Sequence, residues 1–398
     1  MHTKREKALL VAPRTWNSDK NYNYSIEELS LLVDTLGLEV CDTIIQNIKK
    51  INSAYFVGSG KAKQIVEQAK LLNANYVIFD EDLSPVQTKN FQKLNKDLRF
   101  IDRSGVILEI FYNNAKSKES KTQVELARLE YQLPRLTRMW THLERQMGGF
   151  GTRAGAGETQ IEVDRRMLRK RISLLRKKLK RIDSERRVQS KKRKNFFRTS
   201  LVGYTNVGKS SLMKCLTKSN VVIRNQLFAT LDTTVRRFFI SESNYVLLSD
   251  TVGFIRKLPT QLIESFKSTL DEVREADLLL HVVDISHTNF EEHIEAVSKT
   301  LDEIKSSHKP CIMVFNKIDN YQPIDFDQHD LTVERGKQNF SIQEWEQTWM
   351  NKLGDKVKFI SAINKTNIEE LKTYLYNEVR KIHVTRFPYN DFLYPEID

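Results

Sequence analysis

Four short motifs along the chain could together hold and cut a nucleoside triphosphate. The first, Gly203-Tyr-Thr-Asn-Val-Gly-Lys-Ser210, has the spacing GxxxxGK[ST]. Its glycines let backbone amides curl around phosphate oxygens, and the helix expected after it adds a favourable N-terminal dipole. In such a loop Lys209 reaches the β- and γ-phosphates and the Ser210 hydroxyl ligates Mg²⁺. Gly203, Tyr204, Thr205, Asn206, Val207 and Gly208 form the cradle. An apolar run at 199–202 precedes the motif and a helical pattern begins near Ser211. A strand before and a helix after are the context that the motif needs.

Three further motifs follow in order. Asp250, Thr251, Val252 and Gly253 read DxxG after an apolar run at 245–248. There Asp250 steadies Mg²⁺ through water and the Gly253 amide senses the γ-phosphate. Asn316, Lys317, Ile318 and Asp319 read NKxD after the run 311–315. A carboxylate at Asp319 accepts both N1–H and the exocyclic amine of guanine, a donor pair that adenine lacks. Asn316 braces the neighbouring loops and the Lys317 stem covers the base. Ser361 and Ala362, followed by Ile363, come after the run 357–360 and offer a backbone amide to guanine O6. Four motifs in register on strand ends predict a GTP site and disfavour a metabolic kinase.

Two details of the chemistry stay open at this level. A switch-region threonine must join Ser210 at Mg²⁺, and Phe228-Ala229-Thr230-Leu231-Asp232-Thr233-Thr234 offers three. Spacing does not choose among them. The residue after Gly253 is Phe254, where many small GTPases place a glutamine that orients the attacking water. Its side chain cannot hydrogen-bond, so unassisted hydrolysis is expected to be slow. Asn206 either helps hold a monovalent cation such as K⁺ near the β–γ bridge or only suits the turn.

Alternating strand and helix patterns must carry these loops from 196 to 384, an α/β domain followed by a short tail at 385–398. Residues 1–112 alternate in the same way. Strands are expected at 8–13, 38–44, 54–57, 76–80 and 99–101, with helices at 25–36, 62–72 and 85–94, giving a small parallel-sheet domain. Between the two α/β domains, at 113–195, the period changes. Leu126, Leu129, Leu133, Leu136, Trp140 and Leu143 form one heptad-like seam, and Ile161, Leu168, Ile172, Leu175, Leu179 and Ile182 another. Together they predict an antiparallel helical hairpin, with Pro134 kinking or splitting its first arm. Its tip, 148–158, holds five of the 14 glycines.

The charge is concentrated in the same place. The 398 residues carry a net charge of +13, yet 113–198 alone holds 25 lysines and arginines against 9 acids. The rest of the chain is therefore slightly acidic, and an acidic partner should meet the hairpin. Phosphate contacts of this kind grip RNA without reading its sequence. Gly149, Phe150, Thr152 and Arg153 at the tip, with Arg165 and Arg166 on the following helix, are the candidate RNA contacts. Two glycine patterns are decoys. Gly149-x-Gly151 follows no strand, and Val57-Gly-Ser-Gly-Lys61 lacks P-loop spacing and reads as a helix-capping turn. Three cysteines without CxxC spacing argue against a disulfide framework or zinc site. With no membrane-length apolar run, the expectation is a cytoplasmic monomer.

Longer stretches resemble the HflX family of the Obg–HflX group from residue 8 to about 383. They include Asp80-Glu-Asp-Leu-Ser-Pro85, Asp102-Arg-Ser-Gly105, Leu133-Pro-Arg-Leu-Thr-Arg-Met-Trp140, Gln160-Ile-Glu-Val-Asp-Arg-Arg166, Phe228-Ala-Thr-Leu-Asp232 and Asp250-Thr-Val-Gly-Phe254. The resemblance implies a GTPase that binds the large ribosomal subunit and its rRNA, not DNA, and dissociates stalled or idle ribosomes. It makes Thr230 the preferred magnesium ligand and Thr234 the second choice. The chain departs from the family at the tip, Ala156-Gly-Glu158 in place of GPGE, and at Asp232-Thr-Thr234 in place of DPT. The alternative from another class is a GTP-gated RNA-binding or ribosome-assembly module without splitting activity.

Overall fold

The computed structural model describes residues 5–15, 22–136, 160–191, 196–217, 226–239, 245–257, 267–326 and 335–386. The hairpin tip with Gly149, Phe150, Thr152 and Arg153, the seam residues Trp140 and Leu143, and the tail from 387 onward lie outside them. The described residues fall into two units, one up to Ser184 and the other from Glu185 onward.

The first unit starts with a four-stranded parallel sheet in the order β2-β1-β3-β4. Its strands are β1 (Lys7–Thr15), β2 (Glu39–Ile48), β3 (Tyr76–Phe79) and β4 (Arg99–Asp102). The helices α1 (Tyr22–Thr35), α2 (Ser59–Leu71), α3 (Pro85–Leu94) and α4 (Arg103–Asn114) accompany it. Local chemistry sets their starts. Ser84 and Gln87 form a reciprocal capping box with Pro85 in the first turn of α3, and Asp102 caps α4 through the Gly105 amide at 2.8 Å. These bonds satisfy amides that a helix start otherwise leaves open. Leu9, Val11, Val77, Phe79 and Phe91 are among the residues that fill the core.

Two expectations for this region are corrected. Residues 54–57 form no strand: Phe56 pairs back onto Asn52 with φ of 65°, a turn that buries its ring. Helix α4 is an element that the sequence pattern did not show. The first six residues of α4 are all buried, so no polar face marks its helical period there.

Helix α5 (Lys118–Gln132) begins at Ser117, whose hydroxyl accepts from the Ser120 amide at 3.0 Å. It passes into a 3₁₀ turn at Leu133–Arg135, where Pro134 cannot continue an α-helix. Helix α6 (Gln160–Lys191) is the longest element, at 32 residues. The two seams meet: Leu126, Leu129 and Leu136 pack with Leu168, Ile172 and Leu175. Arg171–Glu125 and Arg176–Glu130 ion pairs, both at 2.7 Å, flank this contact.

The second unit holds a six-stranded sheet in the order β10-β9-β8-β5-β7-β6. The strands are β5 (Arg198–Gly203), β6 (Thr234–Phe239), β7 (Tyr245–Asp250), β8 (Leu278–Asp284), β9 (Cys311–Asn316) and β10 (Val357–Phe359). Among the described residues, only the β6–β7 pair at the edge runs antiparallel. The central strand β8 reads Leu-Leu-Leu-His-Val-Val-Asp and is buried along nearly its whole length, as a parallel strand covered on both faces must be. Helices α7 (Lys209–Thr217), α8 (Lys267–Glu275), α9 (Phe290–Glu303), α10 (Ile342–Leu353) and α11 (Ile368–Arg386) pack around it. Helix α11 continues two residues past the expected domain end at 384. An aromatic group, Phe290, Phe315, Trp345, Trp349 and Phe359, anchors one side of the sheet. Among the described residues, no helix is long and apolar enough to cross a membrane.

Candidate nucleotide site

All four motifs lie at the C-terminal ends of parallel strands, where open α/β sheets bind ligands. The P-loop runs from the end of β5 into α7. Backbone shape explains its glycines: Gly208 has φ of +95°, and a Cβ there would lie 2.3 Å from Asn316 Nδ2. A Cβ on Gly203 would lie 2.3 Å from the Val282 carbonyl oxygen. Asn206 is exposed with φ of 61°, a left-handed conformation that asparagine tolerates. That alone gives a reason for its type in the turn.

Lys209 is buried, and its Nζ donates to the carbonyls of Gly203 at 3.0 Å and Tyr204 at 2.7 Å. Burial pushes its pKa down to about 8, against the opposing pull of Asp250. A buried ammonium held only by neutral carbonyls is incompletely compensated, and a phosphate is the natural complement.

Beside it, the Ser210 hydroxyl donates to Asp250 Oδ2 at 2.6 Å and lies 2.8 Å from Thr230 Oγ1. The structure therefore brings Thr230 to Ser210 and sends the other two threonines elsewhere. Thr233 accepts from Arg186 at 3.2 Å, and Thr234 opens β6 with its hydroxyl directed to Met213 Sδ at 3.6 Å. The buried side chains of Phe228 and Leu231 bracket Thr230, which explains how a short loop holds it in place. Asp250 is fully buried, and its Oδ1 has no hydrogen-bond partner. Burial raises its pKa, while Lys209, Ser210 and Thr230 pull it down. A buried carboxylate oxygen left open beside two hydroxyls is the donor chemistry of a hard divalent cation, so Ser210, Thr230 and Asp250 fit Mg²⁺.

Gly253 sits against the P-loop. A Cβ there would lie 2.8 Å from Thr205 Cα and 3.0 Å from Lys209 Nζ. Phe254 is buried, and its backbone joins the same loop: its amide donates to the Gly203 carbonyl at 3.1 Å, and its carbonyl accepts from the Thr205 amide at 2.8 Å. Thr251 fixes the preceding turn by donating to the Leu201 carbonyl at 2.6 Å.

On the base side, Asn316 is a two-handed brace. Its Nδ2 donates to the Val207 carbonyl at 2.9 Å, and its Oδ1 accepts from the Ala362 amide at 3.0 Å. Within the Ser361-Ala362 motif, the Ala362 amide thus serves Asn316. Lys317 forms a 2.6 Å ion pair with Asp284, a partner that motif spacing did not reveal. Ile318 continues the loop with its amide donating to the Ile360 carbonyl at 3.3 Å. Asp319 and Ile363 are exposed, while Ser361 is buried and accepts from the Asn364 amide at 3.0 Å. Of the candidate RNA contacts, Arg165 and Arg166 are described, and both are exposed on α6.

A phosphate loop, a carboxylate at an adjacent strand end and a guanine-type NKxD on β9 define a P-loop GTP-binding protein. Residues 198–317 match the family described as 50S ribosome-binding GTPase, 23–112 the GTP-binding GTPase N-terminal family, and 114–193 the GTP-binding GTPase middle region. The chain is 52% identical to the GTPase HflX of Flavobacterium psychrophilum over 99% of its length and 95% of that protein. It is 44% identical to the Escherichia coli GTPase HflX over 85% of this chain and 78% of that one. A crystal structure described as the SsGBP and GDP complex matches 95% of this chain and 99% of its own, with 26% identity and a TM-score of 0.51. The chain belongs to the GTPase HflX family.

Proposed function

We propose that this GTPase couples its nucleotide state to a grip on ribosomal RNA of the large subunit and so dissociates stalled or idle ribosomes. The observation that carries this reading is the face of α6. Arg165, Arg166, Arg169, Lys170, Arg176, Lys177, Lys178, Lys180 and Arg181 are exposed along one helix. A cationic row of this length suits a phosphate backbone and needs no base readout. The description of the family matched at 198–317 supports the same partner.

In the nucleotide site, Lys209 draws the β- and γ-phosphates, Gly253 meets the γ-phosphate and Asp319 selects guanine. Ser210 and Thr230 hold Mg²⁺, with Asp250 behind them. When bound, the ion neutralises charge that builds on the phosphoryl oxygens. Phe254 is buried and offers no side-chain hydrogen bond to water, so hydrolysis by the isolated chain is slow and the ribosome accelerates it. Binding parts the subunits, and hydrolysis releases the factor.

The test is sedimentation of intact ribosomes with the protein and a non-hydrolysable GTP analogue. Loss of the intact-ribosome peak in favour of free subunits is the expected result. Binding to the large subunit or its precursors with that peak unchanged would establish the assembly-module reading instead.

A further inference from the structure

We infer that Tyr204 is a positioning residue for the γ-phosphate-sensing loop, acting through its side chain rather than through the P-loop backbone. The inference rests on the guanine-nucleotide site above and adds a specific device to it.

Three observations meet at this residue. The Tyr204 ring lies almost flat on the His293 imidazole of α9, with centroids 3.9 Å apart and planes 7° from parallel. The Tyr204 hydroxyl accepts from the Arg256 backbone amide at 2.9 Å. Arg256 stands three residues after Gly253, and its guanidinium pairs with Glu292 of α9 at 3.2 Å. Both rings are buried. Burial, with His287 and Arg256 nearby, pushes the His293 pKa down to about 3. Its ring is therefore neutral at physiological pH and stacks without a charge to desolvate.

The consequence is geometric. Backbone bonds already tie Phe254 to Gly203 and Thr205, which fixes one point just past Gly253. The Tyr204 hydroxyl fixes a second point at Arg256, and the stack on His293 prevents that hydroxyl from swinging away. Two anchored points define the direction in which the chain leaves Gly253. In the same residue, the Tyr204 carbonyl accepts from Lys209 at 2.7 Å. The side chain thus relates α9 to the loop after Gly253, while the backbone carbonyl of the same residue holds the phosphate-binding lysine. A tyrosine here orders the γ-phosphate sensor before the nucleotide arrives, so its loss should weaken the triphosphate selectively.

The discriminating experiment compares the affinities of GDP and a non-hydrolysable GTP analogue in the full-length protein and in Tyr204→Phe. The phenylalanine keeps the ring, the stack and every backbone bond. It is expected to weaken the analogue about fivefold more than it weakens GDP, the factor associated with losing one ordinary hydrogen bond. His293→Ala is expected to shift the ratio in the same direction, while His293→Phe, which retains a flat ring, restores it. An unchanged ratio in Tyr204→Phe overturns the inference, as does an equal loss for both nucleotides. If Tyr204→Phe does not fold, the His293 pair decides: parental ratios in both overturn it. A parent that binds neither nucleotide overturns the site assignment as well, which separates that failure from failure of the tyrosine role alone.

Discussion

The molecule contains two buried clusters of charge at the ends of parallel strands, and they are built to opposite ends. In the first unit, Arg103 at the end of β4 is clamped by Asp80 at 2.8 Å and by Glu28, with all three side chains buried. Ser25 adds a 2.6 Å hydrogen bond to Asp80, and Tyr24 one of 3.2 Å to Glu28. In the second unit, Lys209 has only carbonyl acceptors, and Asp250 keeps an oxygen without a partner. One cluster holds its cation between two carboxylates of the chain, whereas the other offers its ammonium only carbonyls and leaves a carboxylate oxygen open. Burial and strand-end position are common to both, so neither marks a functional site. The open oxygen and the loosely held ammonium do.

This contrast can be tested, beginning with the largest effect. Arg103→Met strands two buried carboxylates and should cost about 3–5 kcal/mol in unfolding of the first unit. Nucleotide affinity measured on the folded fraction should be unchanged; a small stability loss would show that this cluster is not closed. Ser210→Ala should do the reverse. The expected loss of turnover is at least about 10–100-fold, by analogy with residues supporting a metal site. The thermal midpoint without nucleotide should fall less than in Arg103→Met, because Ser210 gives Asp250 one hydrogen bond and not a counter-charge. Asp250→Asn sharpens the point further. The folded state raises this carboxyl's pKa, so its ionised form is disfavoured on folding. Removing the charge should therefore leave the nucleotide-free protein as stable or more so at neutral pH, while stabilisation by Mg²⁺ and GTP disappears.

Lys209 provides a subtler test. Its pKa of about 8 in the nucleotide-free protein must rise when phosphates favour the cation. Binding is therefore coupled to proton uptake above about pH 8, and GDP affinity should fall by up to about tenfold per pH unit there while staying flat below pH 7. Calorimetry in buffers of different ionisation enthalpy measures that proton directly. The smallest expected effect concerns Asn206: replacing Na⁺ with K⁺ should raise steady-state turnover. Equal rates would leave its left-handed backbone as the reason for asparagine there.

Much of this was legible in the residues. Continuous apolar runs such as Leu278–Asp284 and capped helices such as Pro85–Leu94 announce themselves through local chemistry. The P-loop, DxxG, NKxD and SA motifs stand at the strand ends where their spacing placed them. What escaped notice depended on tertiary contact. Helix α4 is buried continuously over its first six residues and so shows little amphipathic signature there, while the turn at Phe56 looked like a strand because its side chains are apolar. Thr230 was separated from Thr233 and Thr234 only by the fold, which seats Phe228 and Leu231 on either side of it. The Tyr204–His293 stack and the Lys317–Asp284 pair join positions whose spacing carries no periodic signal.

The amide of Asn316 touches the phosphate loop with one hand and the base-recognition loop with the other. Its nitrogen must donate to Val207 and its oxygen must accept from Ala362, so neither aspartate nor leucine can replace both functions. The two halves of the pocket are consequently joined through one side chain. A substitution at Asn316 should therefore speed release of guanine and adenine nucleotides alike, whereas one at Asp319 should chiefly erode the preference for guanine while the phosphate contacts persist.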